Sequence, residues 1–163
     1  MNTLLKHFAL NDCETDRQGL GVWLGEQAAR EIYLKAFQKS FEEASANGVM
    51  AAYTRWGAVW SGGNAALIRG ILREEWGYAG NIMTDWWMRS SKSPEFPEIK
   101  DQAYRVRAGV NVLMPGGSRT GKKVPDGTLL ESLGKEGGIT TGEMQKNAAE
   151  ILGMIISLQN LRK

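Results

Sequence analysis

The sequence predicts an α/β protein built from four successive parallel β-α units. Short apolar runs alternate with longer segments of helical periodicity, glycines separate the two kinds of segment, and polar residues follow the apolar runs. Such alternation is typical of parallel strands joined by helical crossovers. Four units of this kind would form either half of an eight-unit (β/α)8 barrel or a small open sheet.

Four apolar runs are predicted to be strands. They comprise residues 3–10, 48–54, 81–84 and 109–115. The second run is almost continuously apolar, as expected of a strand that is covered on both faces. Gly77 and Gly80 form a turn before the third strand, and Pro115 ends the fourth.

The segments between the strands are predicted to be helices and loops. Helices are expected at residues 25–47, 64–76, 98–108 and 126–133, with a last helix opening at Thr140. Apolar residues at three- to four-residue spacing support the first helix. We expect Asn47-Gly48 to end it. Thr140 and Glu143 form a capping box. Loops are expected at residues 11–17, 55–63, 89–97 and 118–125, and a flexible joint at 19–21.

The composition argues against several functional classes. The net charge is only +2 and no Lys/Arg block is present, so no nucleic-acid partner is expected. Cys13 is the one cysteine and His7 the one histidine, which excludes an internal disulfide and argues against a Cys/His metal site. No apolar run reaches the ~18 residues of a membrane span. We therefore expect no metal, no cofactor and no membrane partner.

Polar and aromatic residues stand where the predicted strands end. Loops beyond the carboxyl ends of parallel strands form the binding face of such proteins. Asp85 is the first candidate, because a carboxylate walled by indole rings is partly desolvated. The residues at the strand ends are Lys6 and His7 after the first strand, Tyr53 and Arg55 after the second, and Asp85 and Trp86 after the third.

Each of these residues also has a purely structural interpretation. Asp85 could cap the next loop, and Arg55 could form a salt bridge on a rim instead of donating to a ligand. Lys6 and His7 are neighbours, and neighbouring strand residues point to opposite sides of a sheet. They could share a ligand only if the strand ended there.

Five segments carry a family resemblance, in the family's order and spacing. They are residues 6–17, with Lys6-His7-Phe8, residues 26–37, 48–53 and 108–115, and residues 77–86, with Thr84-Asp85-Trp86. On these residues the sequence resembles glycoside hydrolase family 3, the β-glucosidase family.

The resemblance implies that Asp85 is the catalytic nucleophile of a retaining glycosidase. The expected sugar contacts are Lys6, His7, Met50, Tyr53, Arg55 and Trp86. Arg55 comes from the strand-end argument rather than from the resemblance. One branch of the family acts on N-acetylglucosaminides with a second histidine, which this sequence lacks. A β-glucoside or β-xyloside is therefore the expected substrate. Three departures from the family pattern are Cys13 for Gln, Asp16 for Asn and Asn111 for Asp.

The resemblance also implies that residues 1–163 form one partial domain, the second half of the family's barrel. The acid that grips the distal hydroxyls and the general acid/base glutamate would come from other parts of a longer protein. We interpret Glu14, Glu26 and Glu31 as a loop acid and helix-surface acids. The isolated chain is expected to be inactive and to self-associate through exposed sheet edges. The alternative is a non-catalytic carbohydrate-binding or assembly module, and localisation is left open.

Overall fold

A three-stranded parallel sheet organises the fold. In the computed structural model, which describes residues 3–18, 20–86, 102–115 and 128–160, the sheet order is β1-β3-β6. The strands are β1 (Leu4–Phe8), β3 (Gly48–Ala51) and β6 (Asn81–Met83). The first three predicted strands are thereby confirmed. The predicted loops at 89–97 and 118–125, and Trp87, lie outside the described residues.

The central strand β3 is buried along its whole length, as its apolar sequence predicts. Val49 pairs with Leu5 of β1 on one side and with Ile82 of β6 on the other. Val49 and Ile82 are 0% exposed and belong to the main hydrophobic core. Burial of an aliphatic side chain of this kind contributes about 1.5–3 kcal/mol relative to exposure.

The fourth predicted strand is reduced to a single parallel bridge between Val112 and Met83. The backbone N–H of Val112 donates to the Ile82 carbonyl at 3.1 Å, and that of Thr84 donates to the Val112 carbonyl at 2.9 Å. The N–H of Ile82, however, donates to Oδ1 of Asn111 at 3.0 Å. A side-chain amide thus replaces a backbone carbonyl and stops the ladder. The parallel α/β sheet is confirmed, whereas four complete β-α units are not.

The helices fall close to their predicted positions. They are α1 (Glu26–Ala28), a π-helix (Ala29–Tyr33), α2 (Lys35–Glu42), a 3-10 turn (Ser61–Gly63), a second π-helix (Ala66–Glu75), α3 (Ala103–Ala108), α4 (Thr128–Glu131) and α5 (Thr141–Asn160). The end predicted at Asn47-Gly48 is wrong, because Ser45 adopts a left-handed φ of 52° and α2 stops at Glu42. Among the described residues, no helix is long and apolar enough to cross a membrane.

A second small sheet lies where the sequence predicts a flexible joint and a loop. It consists of β2 (Gly21–Val22), β4 (Arg55–Trp56) and β5 (Val59–Trp60), in the order β2-β4-β5. Gly57, with φ at 60°, supplies the left-handed turn between β4 and β5. Val22 and Trp56 pair with each other and pack against the main core, so tertiary packing orders both segments.

A polar network fastens α5 to the sheet. Nδ2 of Asn111 donates to Glu150 at 2.8 Å, and Arg73 donates to Oδ1 of Asn111 at 2.6 Å. Arg69 and Arg73 pair with the two oxygens of Glu150 at 3.0 and 3.3 Å. Because each group lies at least partly buried and satisfies the next, the network fixes the position of α5.

The start of α5 has the predicted capping box. The backbone N–H of Glu143 donates to Oγ1 of Thr140 at 3.2 Å, and the N–H of Thr140 donates to the Glu143 carboxylate at 2.8 Å. A hydrogen bond from Arg107, 2.5 Å long, is the main reason that the pKa of Glu143 falls to about 2. This part of the prediction is confirmed.

Candidate active site

The three parallel strands bring His7 and Asp85 together at the carboxyl edge of the sheet. Asp85 follows β6 after Thr84, and its side chain is 12% exposed. Nε2 of His7, on β1, lies 3.3 Å from Oδ2 of Asp85. A largely buried carboxylate beside an imidazole is a plausible reacting centre, since both groups can hold or move a proton.

A register shift in β1 explains how His7 reaches this position. Lys6 pairs with Met50 and Phe8 pairs with Ala51, the next residue of β3, so His7 is the extra residue of a bulge. A bulge re-aims a side chain and interrupts strict alternation. The sequence argument required the strand to end at Lys6 and His7, but β1 continues to Phe8, and the register shift rather than a strand end interrupts the alternation there.

The electrostatic setting keeps His7 neutral at neutral pH. Burial lowers the pKa of the imidazole below its ordinary value of 6.5, and the nearby Asp85 carboxylate opposes this effect without reversing it. The positive charges of Lys6 and Arg17 lower the pKa further. A neutral imidazole can donate one N–H and accept at its other nitrogen, which suits hydrogen bonding to hydroxyl groups.

Asp85 is also held from the side of its own chain. Its Oδ1 accepts a hydrogen bond of 2.6 Å from the backbone N–H of Trp86. The purely structural interpretation, in which Asp85 caps the following loop, therefore holds for Oδ1. Oδ2 faces His7 instead, so the cap leaves this second oxygen directed towards the imidazole.

Arg17 lies beside Asp85, although the strand-end argument did not include it among the candidates. Its Nη1 lies 4.0 Å from Oδ2 of Asp85 and 3.1 Å from Glu14, and its guanidinium lies 4.6 Å from the centre of the Tyr53 ring. Asn11 donates to Glu14 at 2.7 Å and helps to hold this group. The available signal was Glu14 three residues before Arg17 in the polar loop that follows β1.

Tyr53 and Trp86 are linked on the other side of the site. The Tyr53 hydroxyl donates to the backbone carbonyl of Trp86. Tyr53 is buried, whereas Trp86 is 37% exposed. The hydrogen bond and the Arg17 contact on the Tyr53 ring together fix the wall of the site next to Asp85.

The remaining predicted contacts belong to three different strands. Met50 is 4% exposed in β3, where it pairs with Lys6 and Met83. Lys6 is exposed in the middle of β1, directly before His7. Arg55 belongs to β4, where its backbone pairs with Gly21 and Trp60. Met50 is thus a buried residue of the central strand, and Arg55 belongs to the small sheet.

The glutamates behave as their sequence context predicts. Glu26 pairs with Arg30 at 2.8 Å, and Glu31 accepts a hydrogen bond of 3.0 Å from Gln27, both on the helical surface. Glu14 is 69% exposed at its side chain and engaged with Arg17. Within the described part of the chain, no group of three or more His, Cys, Asp or Glu side chains could hold a metal ion.

The fold is that of an α/β protein with a parallel sheet, and the Asp85 carboxylate at the carboxyl edge of that sheet is the centre of the candidate site. The profile described as "Glycosyl hydrolase family 3 N terminal domain" matches residues 1–154. This chain belongs to that family, as the sequence resemblance implies.

Named relatives agree with this assignment. A β-glucosidase of Ruminococcus albus is 33% identical over 94% of this chain, which spans 16% of that protein. An exo-α-(1→6)-L-arabinopyranosidase of Bifidobacterium longum is 36% identical over 71% of this chain and 14% of its own length. The structure of β-glucosidase 3B from Thermotoga neapolitana in complex with glucose matches 99% of this chain and 22% of its own, with a TM-score of 0.78 and 27% identity.

Proposed function

We propose that this chain is part of a retaining β-glycosidase that hydrolyses terminal β-linked glucose or xylose units, with Asp85 as nucleophile. The observation that carries the proposal is the state of the Asp85 carboxylate. It is almost buried, its Oδ1 is oriented by the Trp86 N–H, and its Oδ2 faces His7 and Arg17. Family membership and the names of the relatives support the reaction class.

The reaction divides into two displacements at the anomeric carbon. In the first, an oxygen of Asp85 bonds to that carbon while the bond to the leaving oxygen breaks, and a second carboxyl group protonates the leaving oxygen. In the second, the same group takes a proton from water, water attacks the anomeric carbon, and Asp85 is released. The second carboxyl group must lie about 5–5.5 Å from Asp85. We assign it to no residue of this chain.

The residues around Asp85 have the chemistry needed to bind a sugar next to a carboxylate nucleophile. The guanidinium of Arg17 lies 4.0 Å from Oδ2 of Asp85 and carries the opposite charge. Neutral His7 and the exposed ammonium of Lys6 can bond ring hydroxyls, and Trp86 offers an apolar indole to the pyranose. Tyr53 holds Trp86 through the hydrogen bond to its carbonyl, and Met50, buried in the central strand, is a further proposed contact. Arg55 is the proposed contact from the neighbouring sheet.

The proposal places residues 1–163 in one partial domain of a longer enzyme. Its support is the short share of each relative that the chain spans, 16% for the Ruminococcus protein. On this basis the isolated chain is inactive, because the partner carboxyl group and part of the sugar subsite lie elsewhere.

The test uses the longest natural protein that contains this chain and an aryl β-glucoside and β-xyloside as substrates. Asp85→Asn keeps the size of the side chain and removes the nucleophile, so we expect kcat to fall at least about a thousandfold. Asp12→Asn, in an exposed position of the adjacent loop, is the matched control and should leave turnover unchanged. Mass spectrometry of wild type treated with an activated 2-fluoro glycoside should find the sugar on Asp85.

Two results would count against the proposal. Near-normal turnover by Asp85→Asn would remove Asp85 from the mechanism. Sugar binding without turnover in the longest natural protein would favour the carbohydrate-binding module instead.

A further inference from the structure

Arg17 lies between two carboxylates and is closer to the one that the proposed reaction does not use. Its Nη1 lies 3.1 Å from Oε2 of Glu14 and 4.0 Å from Oδ2 of Asp85. The first distance is that of a hydrogen-bonded ion pair, whereas the second is beyond hydrogen-bond range. The guanidinium is therefore attached to Glu14 and only adjacent to Asp85.

The Glu14 carboxylate is itself held in place. Nδ2 of Asn11 donates to its Oε1 at 2.7 Å, while Oε2 is the oxygen nearer to Arg17. Both oxygens of the carboxylate are thus engaged, although the side chain is 69% exposed. A carboxylate held at both oxygens cannot turn freely, so it gives Arg17 a fixed point of attachment.

The ring of Tyr53 supplies the second contact of Arg17. The guanidinium carbon lies 4.6 Å from the ring centre, and Tyr53 is buried. A contact on an aromatic ring limits how far a guanidinium lies from that ring, but it leaves the group free to slide across it. The ion pair with Glu14 removes this freedom and so sets where the guanidinium stops with respect to Asp85.

The backbone around Arg17 has its own turn. Asp16 adopts a left-handed φ of 53°, and the N–H of Leu20 donates to the Asp16 carbonyl at 3.1 Å. These features do not involve the Glu14 side chain, and an exposed ion pair has little effect on stability. Loss of the Glu14 side chain should therefore redirect Arg17 without unfolding the loop.

We propose that Glu14 is a positioning residue for the proposed glycosidase reaction, because it holds the Arg17 guanidinium beside Asp85 but out of hydrogen-bond range. Without Glu14, the guanidinium is released to form a direct ion pair with Asp85. Such a pair engages a carboxylate oxygen of the nucleophile and slows its attack on the anomeric carbon. Glu14 acts through Arg17 and not on the sugar, and the inference rests on the proposed function.

A double-mutant cycle in the longest natural protein that contains this chain tests this route. Glu14→Ala should lower kcat on an aryl β-glucoside about fivefold, with KM little changed. Glu14→Gln should recover part of the loss, because its amide oxygen still accepts a hydrogen bond. In an Arg17→Ala background, Glu14→Ala should cause no further loss, since its effect passes through Arg17.

Glu26→Ala is the matched control. Glu26 is 67% exposed at its side chain and pairs with Arg30 at 2.8 Å on the helical surface, so its loss should leave kcat unchanged. The Tm values of Glu14→Ala and Glu26→Ala should both stay close to that of wild type. A lower Tm in Glu14→Ala alone would overturn the proposal, because Glu14 would then support the fold. Unchanged kcat in Glu14→Ala, or equal losses with and without Arg17, would overturn it too.

A crystal structure of Glu14→Ala separates this inference from the proposed function. It should show a nitrogen of Arg17 at about 2.7–2.9 Å from Asp85, the distance of a charge-assisted hydrogen bond. An Arg17 side chain that stays in its present place would overturn the positioning role, whatever the turnover. Full turnover by Asp85→Asn would instead overturn the function on which the inference rests.

Discussion

Nε2 of His7 lies 3.3 Å from Oδ2 of Asp85, and the bulge that interrupts β1 at His7 is what brings the two side chains together. The pair joins the first and third strands of the sheet in sequence order. Burial keeps the imidazole neutral, so His7 brings no positive charge to Asp85, whereas the Arg17 guanidinium lies 4.0 Å from the same carboxylate oxygen. This division of roles leads to the first two predictions.

We predict that stability falls on mild acidification because of His7. Its pKa in the folded protein is below 6.5, so the unfolded chain binds more protons between that lowered pKa and about 6.5. The free energy of unfolding therefore rises with pH through this window and is unaffected by His7 above it. Thermal unfolding of wild type and His7→Asn from about pH 5 to 7.5 measures the effect. The variant should lose less stability at the acid end, and parallel curves for the two proteins would contradict the prediction.

Arg17 should matter for turnover through its contacts with Asp85 and the Tyr53 ring. We expect Arg17→Ala to lower kcat/KM on an aryl β-glucoside by about tenfold to a hundredfold, the loss of one charged contact to the reacting carboxylate. Arg17→Lys should recover only part, since an ammonium lacks the planar stacking of a guanidinium.

The matched control for Arg17 is Arg30→Ala. Arg30 pairs with Glu26 and Glu75 on the helical surface, where an ion pair has little effect on stability and none on the site. We expect Arg30→Ala to leave kcat/KM unchanged. If Arg17→Ala also left kcat/KM unchanged, Arg17 would not be part of the site.

The Asn111 network gives a prediction about stability. In Asn111→Asp, a carboxylate oxygen would face Glu150, at the position where the amide now donates at 2.8 Å. We expect a loss of about 1–3 kcal/mol near pH 7, because a buried hydrogen bond is replaced by like-charge repulsion. The repulsion raises a carboxyl pKa in the folded protein, so the loss should shrink at pH 5.

A double variant tests the same network. Asn111→Asp with Glu150→Gln restores an amide and a carboxylate with their donor and acceptor roles exchanged, and should regain part of the lost stability. Chemical denaturation of the four proteins gives the coupling. If Glu150→Gln added to the loss instead of relieving it, the repulsion argument would be wrong.

Self-association of the isolated chain is the last prediction. β1 is at one end of the described sheet order, with Leu4 41% exposed. On α5, Leu152, Ile155 and Ile156 are 41–58% exposed at helical spacing. Sedimentation velocity should show dimers or larger species of residues 1–163, and Leu152→Lys with Ile156→Lys should shift them towards monomer. A single monomeric species at every concentration of the unsubstituted chain would contradict the predicted self-association.

The sequence was most informative where a local pattern is enough to select a structure. The apolar run from Gly48 predicts the buried strand β3, and Thr140 with Glu143 predicts the cap of α5. The placement of Asp85 after an apolar run predicts its position at the carboxyl edge of the sheet. In each case the determining interactions are within a few residues of each other.

Long-range contacts explain what the sequence alone did not show. The small sheet forms because Val22 and Trp56 share a core contact, although each segment is too short and glycine-rich to be recognised as a strand. The fourth strand is cut short because the Asn111 side chain takes the N–H of Ile82. Arg17 was not assigned to the site because its contacts to Tyr53 and Asp85 cross between loops.

By itself the sequence determined the α/β class, the family resemblance and the candidate carboxylate, since these depend on residue type, order and spacing. Only the tertiary structure decided that His7 faces Asp85 and that Arg17 lies beside the same carboxylate. The physical reason is that the register of β1 on β3, with its bulge at His7, sets the direction of the His7 side chain, and contacts between separate loops set that of Arg17. None of these is a property of the neighbouring residues in the chain alone.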